Sequence, residues 1–264
     1  MGKEKKVIIA LKGYREKGKT STLRKLALQF LMSREVEEDI QVGFLYKKPE
    51  EKPKEKPKVV VSTIDNRDIN QAFCTAFKRS LILVTTTRTK DQAGNIDVVA
   101  QSKEYLPGRK IKQQKKIDEE LKPEIETSIR SIAQEETATL RQFLQRLLES
   151  EVVGDIQVAF RYKGKKIVIS TAGDDKNTVT ESTNLFKTLE ADILVTATRT
   201  GKTTKGWLSD FVTSVTSDNK GGNMELEWVD KNYATLASEE EQINEAQAKE
   251  LLASIDQMII DWEK

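Results

Sequence analysis

Three blocks of sequence occur twice in the same order, and this duplication restricts the fold more than any other feature of the chain. Asp39–Tyr46 returns as Asp155–Tyr162, Val59–Thr63 as Ile167–Thr171, and Leu81–Thr89 as Asp192–Thr200. Thr22-Leu23-Arg24 before the first block matches Thr139-Leu140-Arg141 before its copy, and Lys103–Tyr105 matches Lys231–Tyr233 further on. Each copy reads helix, strand, turn, strand, helix, strand, long loop, strand, helix. In the second copy the short polar stretch Lys163–Lys166 predicts an antiparallel hairpin. Leu81–Thr85 and Ile193–Thr196 are nearly unbroken apolar runs, the pattern of parallel strands covered on both faces. Strands alternating with helices predict an α/β protein, with helices on both faces of mostly parallel sheets. The expected organisation is two tandem repeats, 1–133 and 134–264, forming a pseudo-dimer within a monomeric chain.

Composition narrows the chemistry. Lysine plus arginine (44) nearly balances aspartate plus glutamate (42), which argues against a general nucleic-acid binder. The chain has no histidine, so histidine-based nucleophilic triads and histidine metal sites are excluded. Its one cysteine, Cys74, sits in the apolar run 72–77 and reads as a small core residue. No intrachain disulfide can form, and no apolar run approaches the ~20 residues that span a bilayer. A cytoplasmic protein without a membrane partner is the expectation.

The stretch with the most specific chemistry comes first in the chain. Val7–Leu11 is a short apolar strand, Gly13–Thr20 fits G-x-x-x-x-G-K-[ST], and Ser21–Leu31 has helical spacing. Glycines at 13 and 18 allow a tight turn whose N–H groups point at an anion, and the following helix adds its positive end. In motif and context this stretch resembles the Walker A loop of the P-loop NTPase superfamily, and the sheets would then be of the P-loop type. The resemblance implies a loop of Gly13, Lys17, Gly18, Lys19, Thr20 and Ser21 around the phosphates of ATP, or less favourably GTP. It further implies Lys19 on the β- and γ-phosphates and the Thr20 hydroxyl on Mg²⁺. The second repeat carries Glu135-Glu136-Thr137 in place of Gly18-Lys19-Thr20, which would repel phosphate. One nucleotide per chain is expected.

The remaining site residues are less sharply marked. Asp65, in the turn Ser62–Asn66, is placed to organise Mg²⁺, with Ser62 and Asp68 behind it. The competing reading is a helix cap for a helix starting near Ile69. Thr171–Asp175 resembles the phosphate-sensing Asp-Thr-Ala-Gly turn of small GTPases, with Ser170 where that family has its aspartate. Thr-Arg-Thr recurs at Arg88 and Arg199 where a GTPase would read guanine, which favours ATP. Arg199 is expected to reach the Lys19 site across the pseudo-twofold as a catalytic cation, or else to brace its own strand end. The proline-rich segment 47–58 and the glycine-hinged segment 201–223 read as surface loops that could dock a protein partner, the latter as a lid. The functions these features allow are a regulatory NTPase, a P-loop kinase of a small molecule, and an adaptor stabilised by nucleotide.

Overall fold

A computed structural model describes residues 5–14, 18–36, 41–46, 58–62, 81–90, 96–105, 145–146, 148–150, 153–217 and 223–264. The chain divides into two compact units, Met1–Glu37 with Gln157–Lys264, and Glu38–Ile156.

The first unit is built around β1 (Lys5–Gly13). All of Val7–Leu11 is buried, and because successive strand residues face opposite sides, both faces of β1 must be covered. Such a strand needs two hydrogen-bonded neighbours. It finds them in β8 (Ile193–Arg199) and β9 (Asn223–Asp230), both parallel to it. β6 (Val153–Tyr162) and β7 (Lys165–Ser170) form the expected antiparallel hairpin, turning at Lys163 and Gly164 with φ of 49° and 72°. Those two left-handed residues match the right-handed twist of the flanking strands. β7 continues parallel to β8, so the sheet runs β6-β7-β8-β1-β9. β9 is its edge, alternating exposed and half-buried residues.

Among the described residues four helices serve this sheet: α1 (Lys19–Met32), α2 (Lys176–Thr188), α3 (Lys202–Ser217) and α4 (Glu240–Trp262). α1 packs on α4, and α2 contacts α3. Phe30 of α1 is fully buried, with ring centroids 5.0 Å from Phe160 and 4.8 Å from Tyr162. The Tyr162 hydroxyl and the Lys163 ammonium both donate to Asp256 Oδ1 at 2.7 Å, tying the hairpin to α4. Asp175 caps α2, its side chain accepting from Thr178 N at 2.9 Å.

In the second unit β2 (Gln41–Tyr46) pairs antiparallel with β3 (Lys58–Ser62), which runs parallel to β4 (Leu81–Lys90). β5 (Ile96–Tyr105) pairs antiparallel along the whole of β4. Among the described residues, no helix is long and apolar enough to cross a membrane.

Two expectations meet a different arrangement. The sequence groups β1 with the strands of residues 1–133, whereas β1 is hydrogen-bonded between β8 and β9. An all-apolar strand carries no register information of its own, and the neighbours that bury it decide where it lies. The expected lid at 201–223 is, over Lys202–Ser217, the helix α3. Leu208 is fully buried, and Thr204 Oγ1 donates to Arg199 O at 3.0 Å, holding the first turn of α3 to the end of β8. Packing on one face overrides a threonine- and serine-rich sequence of modest helix propensity.

Candidate functional site

The carboxyl ends of β1, β7 and β8 converge on the amino end of α1, the side of a parallel sheet where ligands bind. Gly18 caps α1 with φ of +73°, and a Cβ there would lie 2.8 Å from Asn244 Oδ1. Both backbone and space therefore demand glycine. A Cβ on Gly13 would lie 2.9 Å from Lys231 Cβ and 3.3 Å from Lys19 Cδ, so this glycine makes room for two lysine stems.

Lys19 is the first residue of α1 and is 6% exposed. Its ammonium turns back to donate to Gly13 O at 3.1 Å and Tyr14 O at 2.6 Å. Burial pushes its pKa below the ordinary lysine value; Asp174 opposes that shift and Arg199 adds to it. A cation at this end of a helix meets the wrong end of the dipole. The first turn of α1 contains no acidic residue to offset it.

Arg199 lies beside the loop on the adjacent strand, its Cα in register with that of Gly13. The expectation that it reaches across a pseudo-twofold therefore gives way to a position within the same sheet. Its Nη2 pairs with Asp174 Oδ2 at 3.1 Å, with both side chains partly exposed. Arg199 Nε is buried and has no partner among the described residues. Asp174 is delivered by the turn after β7. At Gly173 in that turn, a Cβ would sit 1.6 Å from the backbone oxygen of Ala197. Gly173→Ala is therefore expected to cost about 3 kcal/mol or more of stability, since a backbone must shift to admit the methyl group. Chemical denaturation reads this directly, and stability within about 0.5 kcal/mol of wild type would contradict it.

The far wall comes from the end of β9 and from α4. Lys231 is buried, its pKa is lowered by that burial against the opposing charge of Glu240, and its ammonium donates to Asn232 O. The Tyr233 hydroxyl accepts from Tyr14 N at 3.0 Å. Thr22 Oγ1 donates to Asn244 Oδ1 at 3.0 Å, and Lys25 pairs with Glu241, locking α1 to α4. Gln247 Nε2 donates to Asp230 O at 2.7 Å while its Oε1 accepts from Asn232 N at 3.0 Å, which fixes the β9–α4 junction.

Of the residues expected at the site, Gly13, Gly18, Lys19 and Arg199 come together, with Thr20 half-buried and Ser21 exposed on the first turn of α1. Lys17, Asp65 and Asp68 lie outside the described residues, as does most of 47–58. Ser62 and Arg88 are described only as backbone of β3 and β4. Asp174 belongs to the Thr171–Asp175 turn that the sequence marks as phosphate-sensing, and it lies beside Arg199 and Lys19. Sequence reasoning missed Lys231 and Tyr233 as neighbours of the loop, although the repeated Lys-x-Tyr of Lys103–Tyr105 and Lys231–Tyr233 was a signal for both. Among the described residues no cluster of three acidic or cysteine side chains could hold a metal by itself. Comparisons of the chain with protein-family models, with curated proteins and with solved structures returned no match.

Proposed function

We propose that the chain binds a nucleoside triphosphate, ATP ahead of GTP, at the loop between β1 and α1 and hydrolyses it in a regulatory role. One observation carries this reading: a buried ammonium, Lys19, stands against the positive end of α1 with Arg199 beside it and only partial relief from Asp174. Positive charges concentrated there are electrostatically unfavourable without an anion, and a polyphosphate supplies the missing charge.

In this reading Lys19 exchanges its two carbonyl partners for oxygens of the β- and γ-phosphates. Arg199 leaves Asp174 for the transferring phosphoryl group, where charge accumulates. Mg²⁺ suits a hydroxyl, a carboxylate and phosphate oxygens, and Thr20 with Asp174 would provide the first two. Bound there, the ion would neutralise phosphate charge. The acceptor is water.

Calorimetric titration with Mg·ATP tests the reading. One nucleotide per chain is expected, because Glu135 and Glu136 stand where a second loop would need glycine and lysine. Absence of binding, or two sites of similar affinity, would overturn it. Phosphate release into water without an added acceptor separates hydrolysis from kinase and adaptor roles.

A further inference from the structure

Two aromatic side chains stand open beside this anion site. Tyr14 is 64% exposed and Tyr233 43%, whereas Phe30, Phe160, Tyr162 and Phe186 of the same unit are buried. The two rings are tilted by 36° with centroids 6.0 Å apart, already in contact, so they make one platform and not a slot. The platform is anchored to the phosphate loop by its own atoms. Tyr14 O accepts the Lys19 ammonium at 2.6 Å, and Tyr14 N donates to the Tyr233 hydroxyl at 3.0 Å. Exposed rings cost hydration, and here they lie next to concentrated positive charge.

A ligand that satisfies both features has an anionic end and a flat π-face a short distance away. Inorganic phosphate or a sugar phosphate has only the first. We propose that Tyr14 and Tyr233 form the nucleobase platform of the site, on which the purine of either nucleotide stacks by its face. The inference rests on the nucleotide reading above and specifies how the base is held. The rings are suited to it because the Tyr233 hydroxyl is occupied by Tyr14 N–H, which orients the ring before any ligand arrives and lowers the entropy lost on binding. Stacking is tolerant of base type because every base offers a π-face.

The test compares Mg·ATP, Mg·GTP and magnesium tripolyphosphate in calorimetric titrations of wild type, Tyr14→Leu, Tyr233→Leu and Tyr233→Phe. Wild type should bind both nucleotides more tightly than tripolyphosphate, which engages the loop alone. Either leucine variant should weaken ATP and GTP together by roughly ten-fold or more, while tripolyphosphate affinity stays at the wild-type value. Retained tripolyphosphate binding also shows that the variant has folded. Tyr233→Phe keeps the ring and should keep most of the nucleotide affinity. Leucine variants that bind ATP as wild type does would overturn the platform, as would equal loss of all three ligands, which would mean that the rings only shape the loop. Loss for one nucleotide alone would overturn stacking as the shared mode of base binding. Wild type that binds neither nucleotide nor tripolyphosphate would instead remove the phosphate site itself.

Discussion

Lys19→Ala should abolish the thermal stabilisation by Mg·ATP and leave the unliganded protein folded. The ammonium would make charge-assisted bonds to phosphate oxygens in a buried setting, and losing them should weaken binding roughly 100-fold. At a ligand concentration that stabilises wild type by about 2.7 kcal/mol, the variant should show almost no shift. The unliganded protein is spared because two effects offset one another. Truncation removes the stem packed against Gly13, but it also removes a charge that burial penalises. The pH dependence has a definite sign. The folded-state pKa of Lys19 lies below the unfolded value, so the folded chain binds the proton less well, and the cost is present at neutral pH. That cost is relieved as pH rises through the lowered pKa towards the ordinary lysine range. Lys19→Ala should therefore show a shallower alkaline gain in stability than wild type, and wild-type ATP affinity should decline at a pH below that range. Full Mg·ATP stabilisation in Lys19→Ala would remove the phosphate-lysine role.

The parts of this site that were legible in the sequence are those whose geometry is local. Gly18 must be glycine because its own φ is +73°, and Lys19 follows it directly on the helix. Lys163-Gly164 likewise announces its turn through two left-handed residues. The parts that were not legible depend on chain segments distant in sequence. Nothing in Val7–Leu11 says that β8 and β9 will flank it, because every residue of the run is apolar and any buried pair of strand edges would accept it. Lys231 and Tyr233 reach Gly13 because Lys231 N donates to Lys12 O at 2.8 Å, and because Gln247 of α4 bonds Asp230 O and Asn232 N at the junction. Segment 201–223 was misread for a different reason. Gly201 and Gly206 signal a hinge, but the bond from the Thr204 hydroxyl to Arg199 O and the burial of Leu208 favour a helix. Local chemistry survives translation from sequence to structure, and pairing between remote elements does not.

Arg199→Ala separates catalysis from bracing. If Arg199 stabilises the transferring phosphoryl group, turnover should fall by roughly 10³-fold, the loss expected for a transition-state arginine. The bracing alternative is bounded by the geometry of the pair. Arg199 and Asp174 meet at 3.1 Å with side chains 40% and 47% exposed, and such a pair contributes at most about 1 kcal/mol to folding. A brace of that strength cannot account for a thousand-fold loss. Its removal would lower the melting temperature slightly and leave turnover per folded molecule near normal. Asp174→Asn supplies the control, since it breaks the same ion pair while leaving the guanidinium in place. If bracing were the whole role, the two variants should behave alike. If Arg199 acts on phosphate, Arg199→Ala should lose turnover that Arg199→Lys does not restore, because an ammonium cannot reproduce the planar fork of donors. Asp174→Asn should differ by showing a raised Mg²⁺ requirement, as expected of a group that helps to hold the ion. Near-normal phosphate release by Arg199→Ala at saturating Mg·ATP would assign the residue to the strand end and leave Lys19 as the principal phosphate cation.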